Sequence, residues 1–134
     1  MSFQLSIAVR NARLDIIEST IGTSPLLKIF SGTEPINCAA ADPSGVLISM
    51  SLPSDWMSAA LSGSKTLLGT WSTSAIGTGI GTSFRIYNTA GSICHIQGNV
   101  TATGGGGDLT LDNTSIASGQ TVTITTFTLT DGNV

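Results

Sequence analysis

A chain of 134 residues is the length of one domain and can bury a core of its own. Only 10% of its residues are charged, against about 25% in an average soluble domain, and Gly, Ser and Thr take their place. The net charge of −3 offers no basic stripe for phosphate, which disfavours nucleic acid as a partner, and no run reaches the roughly 18 apolar residues of a membrane helix.

Met1 to Gln4 lacks a basic leader, and Arg10 and Arg13 interrupt any apolar run. A signal peptide is therefore not expected, and synthesis in a cytoplasm is. Residues 5–21 are the one clear helix. Leu5, Ala8, Val9, Ala12, Ile16 and Ile17 recur at three- and four-residue spacing and form one apolar stripe. Ser2 or Ser6 can cap its start, and Gly22 can end it. A helix of this length does not hold alone. The stripe is expected to cover a sheet, with docking on a partner as the other reading.

The rest of the chain, about 25–131, reads as short strands. Leu26 to Phe30 is the first. Residues 31–44, with Pro35 and Pro43, are a long loop. Val46, Ile48, Met50 and Leu52 alternate as a half-buried strand that Pro53 stops. Residues 55–60 suggest a short helical turn, and residues 65–71 another strand. Residues 75–82, AIGTGIGT, have no clear assignment.

Phe84 to Val100, FRIYNTAGSICHIQGNV, reads as a β-hairpin around the turn Asn88-Thr89-Ala90-Gly91. Phe84 and Ile86 share one face, Arg85 and Tyr87 the other. Beyond the turn, Cys94, Ile96, Gly98 and Val100 alternate with His95, Gln97 and Asn99. Four glycines, Gly104 to Gly107, form a flexible loop before a short strand at 108–111, and residues 113–119 are a turn. The last strand, 120–130, changes phase. Val122 and Ile124 have one parity, Phe127 and Leu129 the other, so a bulge or a change of sheet is expected near Thr125-Thr126. One helix with seven or eight short strands predicts a mainly β single domain, residues 1–134. The architecture expected is a jelly-roll-like or other β-sandwich with an N-terminal amphipathic helix.

No catalytic constellation is legible. His95 is the single histidine, no Ser lies in a nucleophile-elbow context, and the carboxylates are scattered. Gly77-Thr78-Gly79-Ile80-Gly81 lacks the helix that a phosphate loop needs after it. Asp108 and Asp112 are too few oxygens for calcium. Cys38 and Cys94 are too few and too far apart for a metal or redox motif and read as small buried hydrophobes. The Asn99 and Asn113 sequons carry no meaning without secretion. The expectation is a non-enzyme with no cofactor and no metal. Trp56 and Trp71 are read either as core or as interface aromatics.

The order of features is also familiar. It comprises the "LS-x-A-x-RNA" segment at Leu5–Ala12, the Phe30-Ser31-Gly32 turn and the Phe84–Val100 hairpin. A closing pattern over Gly106–Thr130 has Asp108, Leu109, Leu111, Ile116, Gly119, Val122 and Phe127 in place. This resembles a family of small proteins from the structural-gene clusters of tailed bacteriophages and prophages. Several look like capsid cement or decoration proteins, built as a jelly-roll-type sandwich on the outside of the head. The Cys94-His95 pair and the Ser-rich middle depart from that pattern. The resemblance implies location in the virion, the major capsid protein as partner, and self-association as a homodimer or other homo-oligomer. The hairpin face of Arg85, Tyr87 and His95 is the expected interface. A tail, neck or fibre component is the alternative. So is a carbohydrate- or surface-binding module that stacks its ligand on Trp56, Trp71 or Tyr87.

Overall fold

The computed structural model describes residues 3–132. Helix α1 spans Ile7–Ile21. The Ser6 hydroxyl accepts from the Val9 N–H at 3.2 Å, and the Gly22 N–H closes the last turn on the Glu18 carbonyl at 2.9 Å. Ser2, the other candidate cap, lies outside the described residues. Gly22 has φ +96°, a backbone conformation that favours glycine.

Eleven strands follow among the described residues: β1 (Leu26–Phe30), β2 (Val46–Ser51), β3 (Ser64–Thr66), β4 (Trp71–Ser74), β5 (Gly79–Ile80), β6 (Ser83–Tyr87), β7 (Cys94–Ala102), β8 (Leu109–Leu111), β9 (Ser115–Ile116), β10 (Thr121–Ile124) and β11 (Thr128–Thr130). The main sheet has the order β2-β1-β6-β7-β8, and three two-stranded ribbons, β10-β4, β11-β3 and β5-β9, accompany it. The protein is thus mainly β, sandwich-like, with one N-terminal helix. A run of rings joins the layers. Phe84 of the main sheet meets Phe127 edge-on at 5.8 Å, Phe127 meets Trp71 at 5.6 Å, and Trp71 meets Trp56 at 6.1 Å. Leu27, Ile29, Ile48, Met50 and Ile86 pack in the same buried cluster.

Several expectations hold in altered form. In β2, Phe30 pairs with Val46 and Ile29 with Ile48, so Leu47 is an extra residue; it turns into the core while Val46 faces out. The single strand expected at 65–71 is two, β3 and β4, parted by Gly69 at φ +78°. The helical turn expected at 55–60 is absent. That segment is extended, and Met57 bridges to Leu67. Both Trp56 and Met57 are buried, and Trp56 is tied by its indole N–H to the Gly22 carbonyl at 3.0 Å. The phase change in the last strand is a change of ribbon. β10 pairs with β4, and β11, after Phe127, pairs with β3.

The pairing of β7 with β8 is parallel, with Val100 opposite Leu109. Parallel neighbours in sequence normally need a crossover of about a dozen residues. Here residues 103–108 suffice. Gly104 and Gly106 take positive φ, and the return runs so close to β7 that a Cβ on Gly107 would lie 2.7 Å from the Thr101 hydroxyl and 2.9 Å from its backbone nitrogen. The glycine run serves close approach rather than looseness.

Candidate functional site

The expected hairpin interface divides in two. β6 lies in the middle of the main sheet and is buried along its whole length. Phe84 and Ile86 face the core. Arg85 and Tyr87 face the other way, as the alternation predicts, but they do not reach solvent. The 33–44 loop folds over them. Arg85 is only 2% exposed and spends its guanidinium on that loop. Nη1 donates to the Ala40 carbonyl and to Asp42 Oδ1, both at 3.0 Å. Nη2 donates to the Asn37 carbonyl at 3.1 Å and to Gln97 Oε1 at 3.0 Å. Gln97 in turn donates to the Pro35 carbonyl at 2.6 Å, and the Tyr87 hydroxyl donates to Asp42 Oδ1 at 2.5 Å. Burial, helped by the Asp42 carboxylate, raises the Tyr87 pKa well above its ordinary value. The exposed face expected at Arg85 and Tyr87 is therefore corrected: it is an internal polar layer that seats the loop.

His95 is placed elsewhere. Ile86 pairs with Ile96 and Tyr87 with Cys94, which leaves His95 as the bulged residue of β7. It sits against the helix, where it lines a shallow recess of about 210 Å³ with Ile16, Ile17, Thr20 and Ile21. Of the three expected interface residues, only this one is partly open to solvent.

The helix holds the feature that periodicity located but misdirected. Leu14 and Ile21 are its buried residues, with Ile17 half-buried beside them. Around them the inward face is polar and pinned. Asn11 accepts from the Gly63 N–H at 2.8 Å, and Arg10 donates to the Asp131 carbonyl at 3.1 Å. Lys65, 2% exposed, reaches Asp15 at 2.6 Å and Glu18 at 2.7 Å. The hydrogen bond from Lys65 and one from the Ala60 N–H hold the Asp15 carboxyl below the usual range. Burial works to lower Lys65, and its two carboxylate partners outweigh that and raise it. With this face turned in, Ala8, Val9, Ala12 and Ile16 are turned out. Val9 is 45% exposed and Ile16 61%, and no charged side chain interrupts the row. Most of the stripe expected to cover the sheet is its solvent face.

The other sequence candidates have structural employment. Gly81 N–H is bonded to the Thr114 carbonyl and Gly77 N–H to the Leu47 carbonyl, so this loop does not present those donors to a phosphate. Trp56 and Trp71 are fully buried, and the Trp71 indole donates to the Leu68 carbonyl at 3.1 Å. Among the described residues no group of three or more His, Cys, Asp or Glu converges as a metal site. None of their helices is long and apolar enough to cross a membrane. A recess of about 660 Å³ lies between the C-terminal half of α1 and residues 54–59; Asp15, Glu18 and Lys65 on its wall are already paired with one another. Comparison with protein-family models, curated proteins and solved structures gives no match for this chain.

Proposed function

We propose that this chain is a capsid decoration protein of a tailed bacteriophage, one that seats on the outside of the assembled head and bridges major capsid protein subunits. The observation that carries the reading is the outward row Ala8, Val9, Ala12 and Ile16 on a helix fixed from behind by Lys65, Gly63 and Asp131. A rigid, uncharged helix face suits docking into a protein groove, because its side chains lose little freedom on binding. Binding only to the assembled shell would stabilise that state by linkage, and icosahedral repetition would multiply modest contacts. The reading also draws on the resemblance of the helix, the hairpin and the C-terminal pattern. The carbohydrate reading loses its platform, since Trp56, Trp71 and Tyr87 are all covered.

Quantitative mass spectrometry of purified particles, scaled to the major capsid protein, tests the proposal. A near-stoichiometric ratio supports it. A few copies per hundred capsid proteins would move the chain to the tail or neck, and complete absence would refute both.

A further inference from the structure

Cys38 and Cys94 are 56 positions apart in sequence (94 − 38), and the fold brings them together. Two features of the geometry do so. The bulge at His95 places Cys94 opposite Tyr87, on the face of the main sheet that carries Arg85 and Gln97. The loop carrying Cys38 is fastened to that same face on either side of it, through the Pro35, Asn37 and Ala40 carbonyls and the Asp42 carboxylate. The Cys38 thiol is close enough to the Cys94 thiol to help raise its pKa, while the Cys94 thiol itself donates to the Ile96 carbonyl at 3.4 Å. Both sulfurs are free and both residues are half-buried.

We infer that Cys38 and Cys94 are a reversible disulfide pair that, in oxidising surroundings, locks the 33–44 loop onto β7. The inference is independent of the proposed capsid role. The reaction is thiol–disulfide exchange with a small external disulfide such as oxidised glutathione. The Cys38 thiol, on the loop, gives up its proton and attacks one glutathione sulfur. One glutathione leaves as a thiol, and a mixed disulfide remains on Cys38. Cys94 then loses its proton to solvent and attacks the Cys38 sulfur, expelling the second glutathione. Two protein thiols are oxidised and one external disulfide is reduced to two thiols. Burial and the neighbouring Cys38 push the Cys94 thiol up to about 12, so Cys94 waits as the thiol and reacts once its partner is activated. Cytoplasmic thiols would keep the pair open, and an extracellular environment would close it.

The test oxidises the folded full-length chain with glutathione disulfide and maps it with trypsin. The expected product is a monomer in which peptide 29–65 is joined to peptide 86–134, with no glutathione retained. Its midpoint of thermal unfolding should rise by on the order of 10 °C, because the closed loop is long, and dithiothreitol should reverse the shift. Cys38→Ser should show neither the joined peptides nor the shift, and Cys94→Ser should match it. A folded chain that keeps both thiols, or collects separate glutathione adducts, overturns the inference. So does a bridge that forms only in urea.

Discussion

The Arg85→Ala substitution tests whether the polar layer beneath the 33–44 loop holds that loop in place. The guanidinium makes four hydrogen bonds, and two of them satisfy the Asn37 and Ala40 carbonyls. Removing it strands the Ala40 carbonyl and Gln97 Oε1, leaves the Asn37 carbonyl with the Ala40 N–H alone, and opens a hole where a large side chain was fully enclosed. Each bond to a charged donor contributes about 1.5–3 kcal/mol at most, and the buried Nε, which has no partner, offsets part of that. A net loss of about 3–5 kcal/mol is expected, in line with removing one member of a buried pair. Asp42→Ala should cost less, about 1–3 kcal/mol, because the Asp42 side chain is 42% exposed and its pairing with Arg85 is screened by water, although the buried Tyr87 hydroxyl loses its acceptor. Urea unfolding of the purified variants measures both. Hydrogen exchange should show residues 33–44 losing protection in Arg85→Ala before the core does. Equal costs for the two variants, or an Arg85→Ala loss below about 1 kcal/mol, would show that the loop is held by something other than this fork.

Stability should fall on the alkaline side. Cys94, Tyr87 and Lys65 all have raised pKa values in the folded state, so their contributions are complete below the ordinary values of 9.0, 10.0 and 10.5 and fade as pH rises past each. Cys94→Ala should remove the earliest part of that decline, read as the urea midpoint against pH. Asp15 has the opposite sign: its lowered pKa means a contribution present above the ordinary 3.8 and lost as pH falls below it, an effect that Asp15→Asn should erase. Gly107→Ala should destabilise by about 2 kcal/mol or more, since its Cβ would strike the Thr101 side chain and backbone; Gly104→Ala meets no neighbour and should cost only its strained φ. Val9→Asp combined with Ile16→Asp should leave the urea midpoint nearly unchanged and abolish co-sedimentation with expanded heads; retained binding would remove α1 from the interface.

Much of the β architecture was legible because the longer strands carry local signatures; the two-residue strands β5 and β9, in stretches read as unassigned and as a turn, do not. The parity change at Thr125-Thr126 announced a bulge or a change of sheet, which the structure resolves as a change of ribbon between β10 and β11, and the hairpin turn at Asn88–Gly91 announced the pairing of β6 with β7. The parallel return from β7 to β8 was not legible. Four glycines look the same in sequence whether they permit wandering or close approach, and only the Thr101 contacts decide. The burial of Arg85 and Tyr87 was equally hidden. Alternation assigns a residue to a face of a strand, but whether that face meets water depends on a loop some 45 residues away.

The helix fails for a different reason. Its apolar residues lie on both sides, with Leu14, Ile17 and Ile21 on one and Ala8, Val9, Ala12 and Ile16 on the other. Periodicity finds the longer row and assigns it to the core, because burying apolar surface is the usual reason for such a row. That inference assumes that charge belongs outside. In this chain Lys65 lies beneath the helix and needs two carboxylates, which Asp15 and Glu18 supply, and the terminal segment at Asp131 takes up Arg10 and Arg13. Satisfying a buried ammonium outweighs covering a few methyl groups: an unpaired buried charge costs several kcal/mol, and an exposed Val or Ile about 1.5–3. The rotation of α1 follows from that inequality. The apolar row left outside is the surface that the proposed docking uses.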